Sequence, residues 1–174
     1  MRRRELVAGL GSLGLLGTAG LAYVGRLPST DQTESFDPVA IRTVEAAGSA
    51  EGELTLPAEG GVTFVDLFAT TCRVCQAQMP ALGEAAEQVG PDVTFVSLTR
   101  EADGQVSDEH LAQWWADHDG HWTVGRDESW SFVRHFTPAT PTAVVFDPAG
   151  RLVAEETGRK SADEILALID AADG

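Results

Sequence analysis

Cys72 and Cys75 are the only cysteines among 174 residues. They stand between an apolar run, Val62-Thr63-Phe64-Val65-Asp66-Leu67-Phe68, and a helix-compatible segment that ends near Gly90. A buried strand that hands a Cys-X-X-Cys to the first turn of a helix aims the helix dipole and its free N–H groups at the first sulfur, which favours thiolate over thiol. Cys72 is therefore the predicted nucleophile, and Cys75, one turn deeper, the more buried resolving partner. A chain of this length forms a core without disulfide staples. The pair thus reads as redox chemistry, with a structural disulfide in an exported protein as the alternative. A four-ligand zinc site would need a second ligand pair, and no Cys or Cys-X-X-His pair supplies it, so no metal and no cofactor are expected.

Charge narrows the partners. The formal net charge is −15. The first 26 residues hold four arginines and one glutamate, so residues 27–174 carry 26 acids against 8 bases, a net −18. That part of the chain will not bind nucleic acid or anionic lipid by charge. Lys160 is the only lysine, beside eleven arginines. Such an acidic, lysine-poor surface suits a protein from very salty surroundings, or an ordinary acidic extracytoplasmic domain.

Residues 1–26 read as a targeting segment. Arg2-Arg3-Arg4 precedes Leu6 to Val24, nineteen residues without a charge but with five glycines. Arg3-Arg4-Glu5-Leu6-Val7 resembles a twin-arginine export signal, and the same stretch is long enough to span a bilayer as an uncleaved anchor. With no clear Ala-X-Ala site after it, the anchor is the preferred reading. Residues 27–36 read as a polar tether and 37–174 as the folded domain.

Within that domain, Val39 to Val44 and Glu53 to Leu56 alternate as an N-terminal β-hairpin. Val62–Phe68, a helix over 73–88 with Pro80 inside it, and Val93–Leu98 make a βαβ unit with a right-handed crossover. Ser107 is a plausible N-cap for a helix over 108–117. Residues 127–136 read as another short helix, followed by the break Thr137 to Thr142. Ala143–Phe146 and Arg151–Glu155 are a hairpin across Asp147-Pro148-Ala149-Gly150. Ser161-Ala162-Asp163-Glu164 is a capping box that opens the last helix.

This order resembles the thioredoxin superfamily, and within it the TlpA-like and ResA-like exported thiol-disulfide oxidoreductases. Four features carry the resemblance: Cys72-Arg73-Val74-Cys75, Asp66 six residues before Cys72, Pro80 five residues after Cys75, and Thr140-Pro141-Thr142 ahead of an apolar strand. The resemblance implies an α/β thioredoxin-like fold, a mixed central sheet flanked by helices (βαβ then ββα), with the N-terminal β-hairpin and a helical insertion between Leu98 and Phe136. It implies that Cys72 and Cys75 are catalytic, that Asp66 is a buried acid taking a proton from Cys75, and that Thr140 and a cis-Pro141, with Arg73 and Val74, meet substrate. It also implies protein substrates with disulfides or dithiols and a membrane redox partner that recycles the dithiol.

The chain departs from the family at three places. Thr71 stands where many members have Trp, Gln78 where many TlpA-like motifs have an acid, and the X-X pair is Arg-Val. The reduction potential and direction therefore cannot be borrowed from relatives. Two other classes share the fold. A copper-delivering factor of the SCO type uses Cys-X-X-X-Cys and a later His, but here the spacing is one residue shorter and Pro141 occupies that loop. A peroxiredoxin-like peroxidase lacks its usual approach to the cysteine here. Asp117-His118-Asp119-Gly120-His121 invites a metal reading, but nothing aligns these groups on one helix face. Trp114, Trp115, Trp122 and Trp130 read as core of the insertion.

Overall fold

The computed structural model describes residues 35–102 and 104–174. The export segment or anchor expected at 1–26 lies outside the described residues, as does nearly all of the expected tether. Among the described residues no helix is long and apolar enough to cross a membrane.

The chain runs β1 (Val39–Thr43), β2 (Gly52–Leu56), β3 (Val62–Phe68), α1 (Arg73–Gln88), β4 (Val93–Thr99), α2 (Asp108–Asp117), β5 (Thr123–Arg126), a 3₁₀ turn (Val133–His135), β6 (Thr142–Phe146), β7 (Leu152–Thr157) and α3 (Ala162–Asp173). The strands form one sheet in the order β2-β1-β5-β4-β3-β6-β7. β3, β4 and β5 are parallel, and the hairpins at both ends join antiparallel. The C-terminal end of β3, where the cysteines follow, is thus near the middle of the sheet.

β3 is buried on both faces, and its side chains alternate between two cores with the period of two expected of a strand. Val62, Phe64 and Phe68 belong to the core shared with α1, α2 and α3, whereas Val65 and Leu67 belong to the core on the opposite face. Asp66 therefore points to the helical side. On α1 the buried stripe is Cys75, Met79 and Leu82, with Gln78 beside it, so Val74 stands on the solvent side at 49% exposure.

Three expectations need correcting. The insertion is a helix plus a strand: β5 has no clear sequence pattern, because Thr123-Val124-Gly125-Arg126 is short and ends on a charge. It nevertheless extends the parallel array beside β4. The helix expected over 127–136 shrinks to the 3₁₀ turn. The Asp127 carboxylate accepts the N–H groups of Phe132 and Val133, at 2.7 and 2.9 Å, which a regular helix would send to carbonyls. Finally, Trp114, Trp115 and Trp122 are core, but Trp130 is exposed and sits at a positive φ of 57°. The irregular segment covers the second face with Phe132, Val133 and Phe136, joined there by Phe36, whose ring lies 5.4 Å from those of Phe132 and Phe146.

Candidate active site

Cys72 is the N-cap of α1. Its own N–H donates to Ala69 O at 3.1 Å, its carbonyl accepts Gln76 N–H at 3.1 Å, and its Sγ accepts Cys75 N–H at 3.1 Å. The sulfur thus does what a Ser or Asp oxygen usually does at this position, satisfying a free amide of the first turn. Cys72 and Cys75 are joined as a disulfide with their Cα atoms 5.2 Å apart. Cys75 is buried at 2% exposure while Cys72 is half-buried, the asymmetry expected of an attacking and a resolving cysteine. Thr71, Arg73 and Val74 are exposed around the pair.

The loop before β6 closes over this helix end. The Thr140–Pro141 bond is cis, and the Thr140 carbonyl oxygen lies 3.7 Å from Cys72 Sγ. Thr142 Oγ1 donates to Ala139 O at 2.9 Å and Gly158 N–H to Pro141 O at 2.9 Å, which hold the loop from within and from β7. A second cis bond joins Leu56 and Pro57.

Asp66 is 4% exposed, and burial pushes its carboxyl up to about 7, with a hydrogen bond from Ser97 pulling the other way. Ser97 Oγ donates to Asp66 Oδ2 at 3.2 Å. The structure therefore brings Cys72, Cys75, Thr140 and Pro141 together directly, with Asp66 beneath α1 on the same face of the sheet as Cys75.

Glu101 and Gln78 also support the site. The Glu101 carboxylate accepts Thr70 N–H at 2.7 Å, Thr70 Oγ1 at 2.8 Å and Thr99 Oγ1 at 3.0 Å, clamping the loop two residues before Cys72 to the end of β4. Gln78 pairs with both backbone groups of Lys160, accepting its N–H at 2.7 Å and donating to its carbonyl oxygen at 2.9 Å. An exposed-looking acid after a strand and an amide in a helix give no signal of either role. Adjacent Arg100 donates to the carbonyls of Val133 and Phe136, tying the same strand end to the segment that leads into the Pro141 loop.

The Asp117–His121 cluster resolves into separate contacts. His118 Nδ1 meets Trp114 O and His121 Nδ1 meets Asp119 O. Gly120 lies against the Trp115 ring so closely that a Cβ there would overlap it.

A Redoxin family model matches residues 37–169. No curated protein matches the chain significantly. Similar solved structures include the exposed lipoprotein thioredoxin Etrx1 of Streptococcus pneumoniae, with a TM-score of 0.62, 22% identity, and coverage of 75% of this chain and 98% of that one. A thiol-disulfide isomerase of Corynebacterium glutamicum has a TM-score of 0.59 at 18% identity, covering 75% and 93%. StoA of Bacillus subtilis has a TM-score of 0.63 at 11% identity, covering 76% and 97%. At these identities the structures speak for the fold, which is thioredoxin-like. The family match extends over most of that fold with the joined cysteine pair inside it, and so the chain belongs to the Redoxin family, as a thioredoxin-like oxidoreductase.

Proposed function

We propose that the chain is an extracytoplasmic thiol-disulfide oxidoreductase that exchanges disulfides with protein substrates through Cys72 and Cys75. The observation that carries this reading is the disulfide at the N-terminus of α1, half-buried at Cys72, buried at Cys75, and faced by the Thr140 carbonyl. In the reducing direction, Cys72 thiolate attacks one sulfur of a substrate disulfide, and the other substrate sulfur leaves as thiolate. A mixed disulfide between Cys72 and substrate results. Cys75 gives its proton to the Asp66 carboxylate, and its thiolate then attacks Cys72 Sγ and expels the second substrate thiolate. The substrate is reduced by two electrons and the pair oxidised to the disulfide.

Each further residue has a role that its position supports. The free amides of the first turn stabilise the Cys72 thiolate. Thr140, beside the cis-Pro141, offers backbone groups to an extended substrate segment, and exposed Arg73 and Val74 make up the rim it meets. A membrane redox partner returns the dithiol, and residues 1–26 serve as a twin-arginine-type signal or anchor. The relatives include a protein described as an exposed lipoprotein, which supports a location outside the cytoplasm. The acidic, lysine-poor composition supports salt-rich surroundings and gives no basis for binding nucleic acid.

Trapping tests the assignment. Cys75→Ser in the native host accumulates mixed disulfides through Cys72, identifiable by non-reducing gels and mass spectrometry, whereas Cys72→Ser accumulates none. Equal trapping by both variants, or by neither, refutes it.

A further inference from the structure

The acid assigned to the resolving step is not alone in the interior. Asp66 on β3 is paired in register with Ser97 on β4, and strand alternation puts both on the helical side of the sheet. Ser97 Oγ donates to Asp66 Oδ2 at 3.2 Å, and Trp122 Nε1–H donates to Ser97 Oγ at 3.0 Å. The three side chains are 4%, 0% and 6% exposed. Trp122 has a donor and no acceptor, so the Ser97 hydroxyl hydrogen cannot turn towards it and is left for the carboxylate. The indole is itself fixed, edge to face against Trp115 at 4.6 Å between ring centroids and against Phe95 at 6.0 Å.

We infer that Ser97 and Trp122 are positioning residues for the redox step, a fixed chain of donors that orients the Asp66 carboxylate on the side of the sheet that Cys75 faces. The inference rests on the reading of Asp66 as the proton acceptor. Without the chain, burial alone would govern the carboxyl, favour its protonated form and remove the acceptor. The direction of the Ser97 contribution agrees, since its hydrogen bond opposes the effect of burial.

Charged groups packed nearby do not take over this task. β4 and β6 carry none. Arg73, Glu84 and Glu87 on α1 and Asp163, Glu164, Asp170 and Asp173 on α3 are exposed. Arg126 on β5 is engaged by Asp108 and backbone carbonyls, and Lys160 by Glu156. His121, beside Trp122, faces Glu87 at 3.7 Å. The remaining titratable group on the inner face of α1 is Cys75, the donor in the proposed transfer.

The resolving step can be isolated in the full chain. With the pair first reduced, Cys72 thiolate splits the disulfide of Ellman's reagent, which expels one thionitrobenzoate and leaves the other bonded to Cys72. Attack by Cys75 thiolate on Cys72 Sγ then re-forms the Cys72–Cys75 disulfide and releases the second thionitrobenzoate, a slower absorbance phase followed from pH 5 to 9, while carbon-13 NMR follows the Asp66 carboxyl. In Ser97→Ala the Asp66 midpoint moves up by about one pH unit, the size of one lost charge-assisted hydrogen bond, and the release profile moves with it. Trp122→Phe shifts both in the same direction, while Asp66→Asn removes the inflection. An Asp66 midpoint that is the same in Ser97→Ala as in the unaltered chain overturns the inference. If the midpoint moves but the release profile stays, the donor chain stands and Asp66 is not the base. The unaltered chain supplies a check independent of any variant's folding: the Trp122 Nε1–H resonance titrates with the Asp66 midpoint, and a resonance that stays flat through it counts against the chain.

Discussion

A carboxyl group inside a protein costs far more charged than protonated, and Asp66 makes that difference measurable as stability. Its folded-state proton affinity is raised, from an ordinary value of 3.8 to about 7, chiefly by burial. Between those two values the folded chain therefore binds more protons than the unfolded one, and stability falls as pH rises. The full contribution is present below the unfolded value and is lost by the time pH passes about 7. Its upper limit is on the order of 4 kcal/mol, at 1.36 kcal/mol per unit. Asp66→Asn keeps the shape and the acceptor for Ser97 but removes the charge. Urea unfolding with the disulfide intact should show variant and unaltered chain alike near pH 4, with the variant gaining steadily up to neutrality and then holding its advantage. A difference that stays flat over that range would mean that burial does not govern this group. Asp66 could be singled out from its place in an apolar run before the cysteines. Ser97 could not, although it too interrupts an apolar run, because only the parallel register of β3 with β4 sets the two opposite each other.

At the level of elements, what was legible depended on whether the decisive contacts are local. β3, α1, β4 and the last helix are set by periodicity, turn residues and capping, and α3 opens on the expected capping box of Ser161 and Glu164. β5 and the 127–136 segment depend on partners distant in sequence or on an Asx-type contact that competes with helix formation, so local pattern misassigns them. The same holds for the supports of the active-site helix. Glu101 gives three accepting contacts at the end of β4, and hydrogen bonds to a charged acceptor are worth about 1.5–3 kcal/mol each at most. Glu101→Ala should lower stability by about 2 kcal/mol in thermal or urea unfolding. It should also raise hydrogen exchange at the Thr70 amide more than at amides of β6; uniform loss of protection would deny the clamp. Gln78 is a sharper case, since it both donates to and accepts from Lys160. Gln78→Glu would set a carboxylate oxygen against the Lys160 carbonyl in a buried site, costing about 1–3 kcal/mol. Unfolding at neutral pH should show that loss, with part of it recovered at acid pH when the new side chain is protonated and can donate again. No loss at neutral pH would mean that the pairing is dispensable, and a loss that acid does not relieve would mean that the carboxylate's charge is not its cause.

For the whole molecule the dominant fact is charge of one sign. The 8 bases of residues 27–174 cannot neutralise the 26 acids of the same stretch, and several of the bases are already committed. Arg42 joins Asp108 at 2.7 Å and Glu128 at 2.6 Å, while buried Arg126 reaches Asp108 at 3.2 Å, linking the hairpin, the start of α2 and β5. Salt acts on these two features in opposite directions. It weakens the exposed arm of the network, Arg42 to Glu128, which is worth only about 0–1 kcal/mol to begin with, and touches the buried arm less. It also screens repulsion among the many acids without partners, a penalty spread over the whole surface. The second effect should win because a few partly exposed pairs stand against a large excess of like charge. Raising sodium chloride from about 0.01 M to 1 M shortens the screening length from roughly 30 Å to 3 Å. Over that range the unfolding midpoint should rise by about 2–4 °C or more, the shift that 1 kcal/mol produces in a chain of this size, and potassium chloride should act alike. A midpoint that falls would show that the ion-pair network outweighs the net charge. Screening is essentially complete by about 1 M, so a midpoint that continues to climb at higher salt needs a different cause. Hydration of the acidic surface is the physical basis expected for a chain matched to salt-rich surroundings, and a plateau at that point would limit the effect of salt to screening.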